Sequence, residues 1–216
     1  RPRFISKLTP DDRCHLNGLA MADGRPRYLS ALGSGNAPQS WRDNKRDGGV
    51  LIDYASDEVA VTGLCMPHSP RHLEGRDWIL ESGKGSLATL DVRSGRVETV
   101  AQLPGFTRGL DFRGGVAFVG LSKLRDSNPF TDIPLTDQNP DRSSGIWAVH
   151  MATGQVLAFL RFSDAVEEIF SVQVLPDVLH PHIMEEHDPL MDTTWAIPDG
   201  LLGQVENVAT DSVRSS

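Results

Sequence analysis

A chain of 216 residues, 39% hydrophobic and 23% charged, can bury a sizeable single core. Its formal net charge of -8, with no run of basic residues, excludes a non-specific binder of nucleic acid or of an anionic membrane surface. No apolar stretch approaches the length of a membrane span, no signal-peptide pattern opens the chain, and two cysteines, Cys14 and Cys65, make no disulfide framework. They fit free thiols in a reducing, cytoplasmic compartment, although both precede an inner hairpin and a close pair is equally compatible with the sequence.

The chain begins at Arg1, and the apolar pair Phe4-Ile5 within its first thirteen residues reads as an outer strand closing a preceding blade. Cys14-His15-Leu16-Asn17-Gly18-Leu19 then enters an inner hairpin turning at Asp23-Gly24, followed by the strand-type run Tyr28 to Leu32. A polar, Gly-rich loop from Gly33 to Gly49 carries Trp41-Arg42-Asp43-Asn44-Lys45 and is longer than a hairpin requires.

Cys65 to Leu103 is the clearest unit. Strand-type runs Pro70 to Leu73, Asp77 to Glu81, Ser86 to Val92 and Val97 to Leu103 are separated by turns at Glu74-Gly75, Gly83-Lys84-Gly85 and Ser94-Gly95, which makes a four-stranded antiparallel meander. Its outer hairpin, Asp91 to Val97, recurs in one register as Asp53 to Val59 and His150 to Val156, each with Ser or Thr at the fourth position and Val at the seventh. The inner turn recurs more loosely at Arg113-Gly114, before Val116 to Val119. A meander repeated in this way is the sequence form of a β-propeller blade.

The expected fold is therefore an all-β propeller of four-stranded antiparallel blades. Three are complete, at about 15–64, 65–105 and 106–165, and part of a fourth lies at 166–179, with an inner strand from Ser171 to Leu175. Since closed propellers have four to eight blades, the chain reads as the C-terminal part of a longer one. Exposed blade edges would then favour self-association. A second long insertion, Ser122 to Ser144, contains Pro129, Pro134 and Pro140, and residues 180–216 form a C-terminal extension and tail.

Six blocks together resemble the uncharacterised bacterial conserved-hypothetical family defined by domain of unknown function 4915: His15 to Ala20, Gly48 to Asp53, Met66 to Arg71, Leu103 to Leu110, Phe118 to Ser122 and Glu167 to Phe170. The similarity covers most of residues 1 to 176. It implies a family that is longer at its N-terminus, and it brings no characterised reaction.

The start of each innermost propeller strand faces the central channel, so polar residues recurring there converge from several blades. Asn17, His68 and Thr107 each lie six residues before the inner turn residue, and His15, Arg71, Arg108 and Glu168 are their near neighbours. One expectation is a divalent-metal site of His15, His68 and Glu168, with Arg71 and Arg108 orienting a small anionic substrate, as in a metal-dependent lyase or hydrolase. Asn17, Trp41 and Arg42 would complete substrate contacts at the channel mouth. In the competing expectation these groups are structural, with each arginine paired to Glu167 or Glu168, and the propeller is a non-catalytic platform for a protein or glycan partner. His180, His182 and His187 with Glu185 and Glu186 are the densest group of ligand-type residues, although Pro181 and the composition make a solvated loop the simpler reading. The Gly-rich segments Gly33-Ser34-Gly35 and Gly83-Lys84-Gly85 lack phosphate-loop spacing and read as turns.

Overall fold

The computed structural model describes residues 1–123, 131–138, 144–179, 181, 182, 185 and 189, and the chain divides into two units, Arg1–Val174 and Leu175–Ser216. The first unit contains three four-stranded antiparallel sheets in sequence order. The first comprises β1 (Leu16–Ala22), β2 (Arg25–Ala31), β3 (Gly49–Asp53) and β4 (Glu58–Leu64). The second comprises β5 (Pro67–Leu73), β6 (Arg76–Glu81), β7 (Ser86–Asp91) and β8 (Arg96–Gln102). The third comprises β9 (Phe106–Arg113), β10 (Val116–Ser122), β11 (Ser144–His150) and β12 (Val156–Phe162).

Every sheet is a simple meander, and the sheets meet through their first strands, β1 beside β5 and β5 beside β9. This is the blade arrangement of a β-propeller, with the first strand of each blade innermost. The extended segment 163–174 follows the third blade without strand assignment. It lies against β9 and β10, where Val174 N–H donates to Asp111 Oδ2 at 2.6 Å and Lys123 N–H to the Glu167 carbonyl at 2.7 Å.

Local sequence chemistry sets the hairpins. Both turn residues are left-handed in each inner hairpin: Asp23 and Gly24 at φ 50° and 72°, Glu74 and Gly75 at 51° and 74°, Gly114 and Gly115 at 56° and 78°. That is type I′ geometry, whose twist matches paired strands. The third turn is thus Gly114-Gly115, one residue later than the sequence pattern suggests. The outer hairpins share one capping device. Asp53 Oδ1 accepts from Ser56 N–H at 2.8 Å, Asp91 Oδ2 from the Ser94 hydroxyl at 2.7 Å, and His150 Nδ1 bonds the Thr153 hydroxyl at 2.9 Å.

The cores lie between blades. Trp78, Leu80, Leu87, Leu103, Leu110, Val119, Leu121 and Trp147 fill the space between the second and third sheets, and Tyr28, Leu51, Val61, Leu64, Ile79 and Leu90 do so between the first and second. Each such side chain contributes roughly 1.5–3 kcal/mol through removal from water. Residues 1–13 form no strand; instead Ile5 is buried with Cys14, Ala31, Val50 and Ile52 against the first sheet. Leu157, Phe159 and Leu160 on β12 remain exposed, as do Leu16, Leu19 and Met21 on β1.

The two long loops are packed rather than open. A 3-10 turn at Ser40–Asn44 and the short helix α1 (Pro134–Gln138) bring Trp41, Ile133 and Leu135 into a buried cluster with Leu32, Met66 and Phe106. Leu135 N–H donates to the Gly83 carbonyl at 2.9 Å, which fastens the second loop to the second blade. Both cysteines are free thiols and buried; burial raises both pKa values, that of Cys65 to about 12, so neither thiol is a nucleophile at neutral pH. No helix among the described residues is long and apolar enough to cross a membrane.

Glu81 is buried at the end of β6 (side chain 1% exposed), where it accepts the Cys65 N–H at 3.1 Å and binds Lys84 Nζ at 2.7 Å. Removing one partner from such a pair leaves a buried charge uncompensated. Lys84 is 41% exposed, so water moderates the effect. Lys84→Met is expected to destabilise the fold by about 2 kcal/mol in urea titration, and adding Glu81→Gln is expected to restore part of that loss.

Candidate functional site

The inner strands run from one end of the blades to the I′ turns at the other, so the turns provide a common origin for counting. The last hairpin pairs are Ala22 with Arg25, Leu73 with Arg76 and Arg113 with Val116. Five residues back from each lie Asn17, His68 and Arg108 (22−17, 73−68, 113−108). The ladder is irregular close to this point in every blade, between Leu16 and Gly18, between His68 and Arg71, and between Thr107 and Leu110. A bulge of this kind re-aims a side chain and recurs beside functional sites. Arg108, and not Thr107, is the counterpart of His68; Thr107 is fully buried.

Neighbouring blades interlock at the bulges. A Cβ on Gly18 would collide with Pro70, and one on Gly109 (φ +83°) would stand 2.7 Å from the Val172 nitrogen. The Ser69 hydroxyl accepts the Gly109 N–H at 3.0 Å. Asn17 is engaged at both ends of its amide, accepting from the Ser30 hydroxyl at 2.7 Å and donating to the Pro67 carbonyl at 2.9 Å. Ser82 donates to the Thr107 carbonyl, and Ser122 to the Ile169 carbonyl at 3.2 Å. Ser82 thus ties its blade directly to the next, Ser30 does so through Asn17, and Ser122 holds the segment that follows the third blade. Their common place at the end of an apolar second strand was visible in the sequence, and the functional reading of that sequence passed over it.

His68 is 4% exposed, edge-on to Phe106 at 5.5 Å. Its Nδ1 lies 3.0 Å from the Met66 carbonyl and 2.9 Å from the Ser82 hydroxyl. The carbonyl can only accept, and the serine proton is directed to Thr107, so Nδ1 carries the imidazole proton and Nε2 carries the lone pair. Burial, reinforced by the nearby Arg108 and His15 charges, lowers the pKa to about 3. His68 is therefore a neutral imidazole at physiological pH.

Arg71 Nη1 donates to the Pro70 carbonyl at 3.0 Å and the Leu19 carbonyl at 3.4 Å. Arg108 stacks on Phe170, its guanidinium carbon 4.2 Å from the ring centre. Both guanidiniums are half-buried, and burial depresses both pKa values even though Asp111 supports the charge of Arg71 and Glu168 that of Arg108. Asp111, which the sequence reading did not single out, also accepts the backbone N–H groups of Phe112 and Val174.

His15, held at φ 52°, directs Nδ1 to the Asp12 carboxylate at 2.9 Å, and Trp41 Nε1 donates to the same carboxylate at 3.0 Å. Trp41 is buried in the loop cluster and Arg42 stacks on it at 4.6 Å, so this pair forms part of the packed loop. Among the described residues no group of three His, Cys, Asp or Glu side chains is placed to hold a metal ion. His15, His68 and Glu168 are accordingly not gathered into one ligand set: His15 is turned to Asp12, and Glu168 acts on Arg108. In the second unit His182 and Glu185 are exposed, whereas His180, Glu186 and His187 lie outside the described residues.

The profile of the family described as Domain of unknown function (DUF4915) matches residues 1–184. No curated protein matches the chain. Among solved structures, the computationally designed Ika4 protein aligns with a TM-score of 0.44 at 11% identity, covering 80% of this chain and 85% of that one. The designed Ika8 protein aligns at 0.41 and 12% identity, covering 75% and 41%. The subtype N11 neuraminidase-like protein of A/flat-faced bat/Peru/033/2010 aligns at 0.40 and 10%, covering 76% and 43%.

Proposed function

The chain belongs to the DUF4915 family, and from that premise we propose that its propeller binds a small anionic molecule at the bulged ends of the inner strands, with Arg71 and Arg108 as the charged anchors and His68 as a neutral acceptor. One observation carries the reading. Both guanidiniums are half-buried, and burial disfavours their charge despite the support of Asp111 and Glu168, so each would gain from further negative charge. A carboxylate, sulfate or phosphate supplies it in bidentate form. His68, with Nδ1–H fixed by Met66 and Ser82, can accept a hydroxyl or N–H of that ligand at Nε2.

Recognition fits this site better than acid–base catalysis. A general base is most effective with a pKa near the working pH, and an imidazole at about 3 is far below it. The metal-assisted lyase or hydrolase reading draws less support, since Nδ1 of His15 is directed to Asp12.

The test is calorimetric titration with citrate, malonate, gluconate and inorganic phosphate. At least one is expected to bind, and the affinity for gluconate, whose own charge is constant between pH 6 and 8, should be flat there because His68 does not titrate in that range. Arg108→Ala and Arg71→Ala should each weaken binding by roughly ten- to a hundredfold, the loss of one charged hydrogen-bonding group. Affinity unchanged in both variants would overturn the proposal, as would no binding by any of the four anions. One tightly held transition metal per chain, lost in His68→Ala, would favour the metal-dependent reading instead.

A further inference from the structure

A cleft lies at the turn end of the inner strands, between the second and third blades. It is bounded by the I′ turns after β5 and β9 and by the turn after β11, and its volume is about 490 Å³, within the usual range for small-molecule pockets. His68 and Arg108 lie five residues back along the inner strands, about 15 Å away, whereas Arg71 is the cross-strand partner of Trp78 in the cleft wall. We propose that this cleft binds a small planar aromatic carboxylate, with its ring against Trp78 and Phe112 and its carboxylate at Arg76.

Three features converge. Trp78 and Phe112 line the cleft as a tilted ring pair 5.3 Å apart, flanked by Leu73 and Met151, which gives an aromatic and apolar floor of the kind that a flat ring covers. Trp78 is 2% exposed, and its indole N–H has no hydrogen-bond partner among the described residues. A buried donor left unpaired is costly, and an acceptor atom on a bound ligand would satisfy it. At the rim the exposed Arg76 lies beside the cleft, where it can pair with an anionic substituent more readily than with a cationic one. None of the proposed anion anchors lines the cleft, although Arg71 pairs across the ladder with Trp78, so Arg108 is the residue that distinguishes the two sites.

The probe is 4-fluorobenzoate observed by fluorine NMR, with 4-fluorobenzylamine as the cationic control. The benzoate should bind in the millimolar range or better, and the amine at least tenfold more weakly. Arg76→Ala, a change at an exposed position, should weaken benzoate binding about tenfold. Trp78→Phe keeps a ring while deleting the N–H, and should weaken it about fivefold. Arg108→Ala should leave it unchanged, which separates this cleft from the inner-strand site. The inference fails if the amine binds as well as the benzoate. It also fails if Arg76→Ala has no effect, or if Arg108→Ala abolishes binding.

Discussion

Acidification from pH 7.5 to 5 is expected to lower the stability of this protein by about 2 kcal/mol, and His68→Gln is expected to remove most of that dependence. In the unfolded chain His68 takes up a proton near its ordinary pKa of 6.5, whereas in the fold it does so only near 3. Below 6.5 the unfolded state therefore binds the extra proton and is favoured. The stabilising contribution is complete above 6.5 and is lost progressively down to about 3, at roughly 1.4 kcal/mol for each pH unit of that interval. Glutamine keeps an N–H for the Met66 carbonyl and has no proton to gain. The carboxylates whose pKa values hydrogen bonding depresses, Asp11, Asp53 and Asp91, act in the more acidic carboxylate range, below the window from 6.5 to 5. Urea midpoints for both proteins across that window decide the matter, and parallel curves would show that His68 is not the group responsible.

Substituting alanine for Gly109 should be among the most damaging small changes in the molecule, costing about 2–4 kcal/mol. Two costs coincide there. The backbone sits at φ +83°, which penalises any L side chain, and the added carbon would stand 2.7–2.9 Å from backbone atoms of Ser171 and Val172. The segment that supplies Glu168 to Arg108 would be pushed from the third blade. Gly95→Ala is the natural comparison, since Gly95 has φ +71° but nothing near its missing carbon, and about 1 kcal/mol of backbone strain is all that is expected. Equal losses in the two variants would show that the close approach at Gly109 contributes nothing. The Gly109 variant is also expected to weaken anion binding, because it disturbs the arginine without removing it.

Much of the blade plan was written locally. Alternating strands, the outer turns at Asp53, Asp91 and His150 and the inner glycine turns specify which segments pair, because period-two patterning and turn chemistry act over a few residues. From these the sequence alone determined the repeated four-stranded unit and the matching inner-strand positions of Asn17 and His68, with Thr107 read as their counterpart in the third blade. The side chains' surroundings were decided elsewhere. A one-residue difference of register at the third turn makes half-buried Arg108, and not buried Thr107, the counterpart of His68. Trp41 looked like a ligand cover in a polar loop, yet it is buried by Ile133 and Leu135, some ninety residues further along. His15 looked like a metal ligand, yet a left-handed backbone turns it to Asp12. The neutral state of His68 depends on its burial between blades and on the charge of Arg108 in the neighbouring blade. Pairing is a short-range property and follows from sequence, whereas burial, bulge direction and electrostatic coupling arise between blades, where residues distant in the chain meet only in the folded structure.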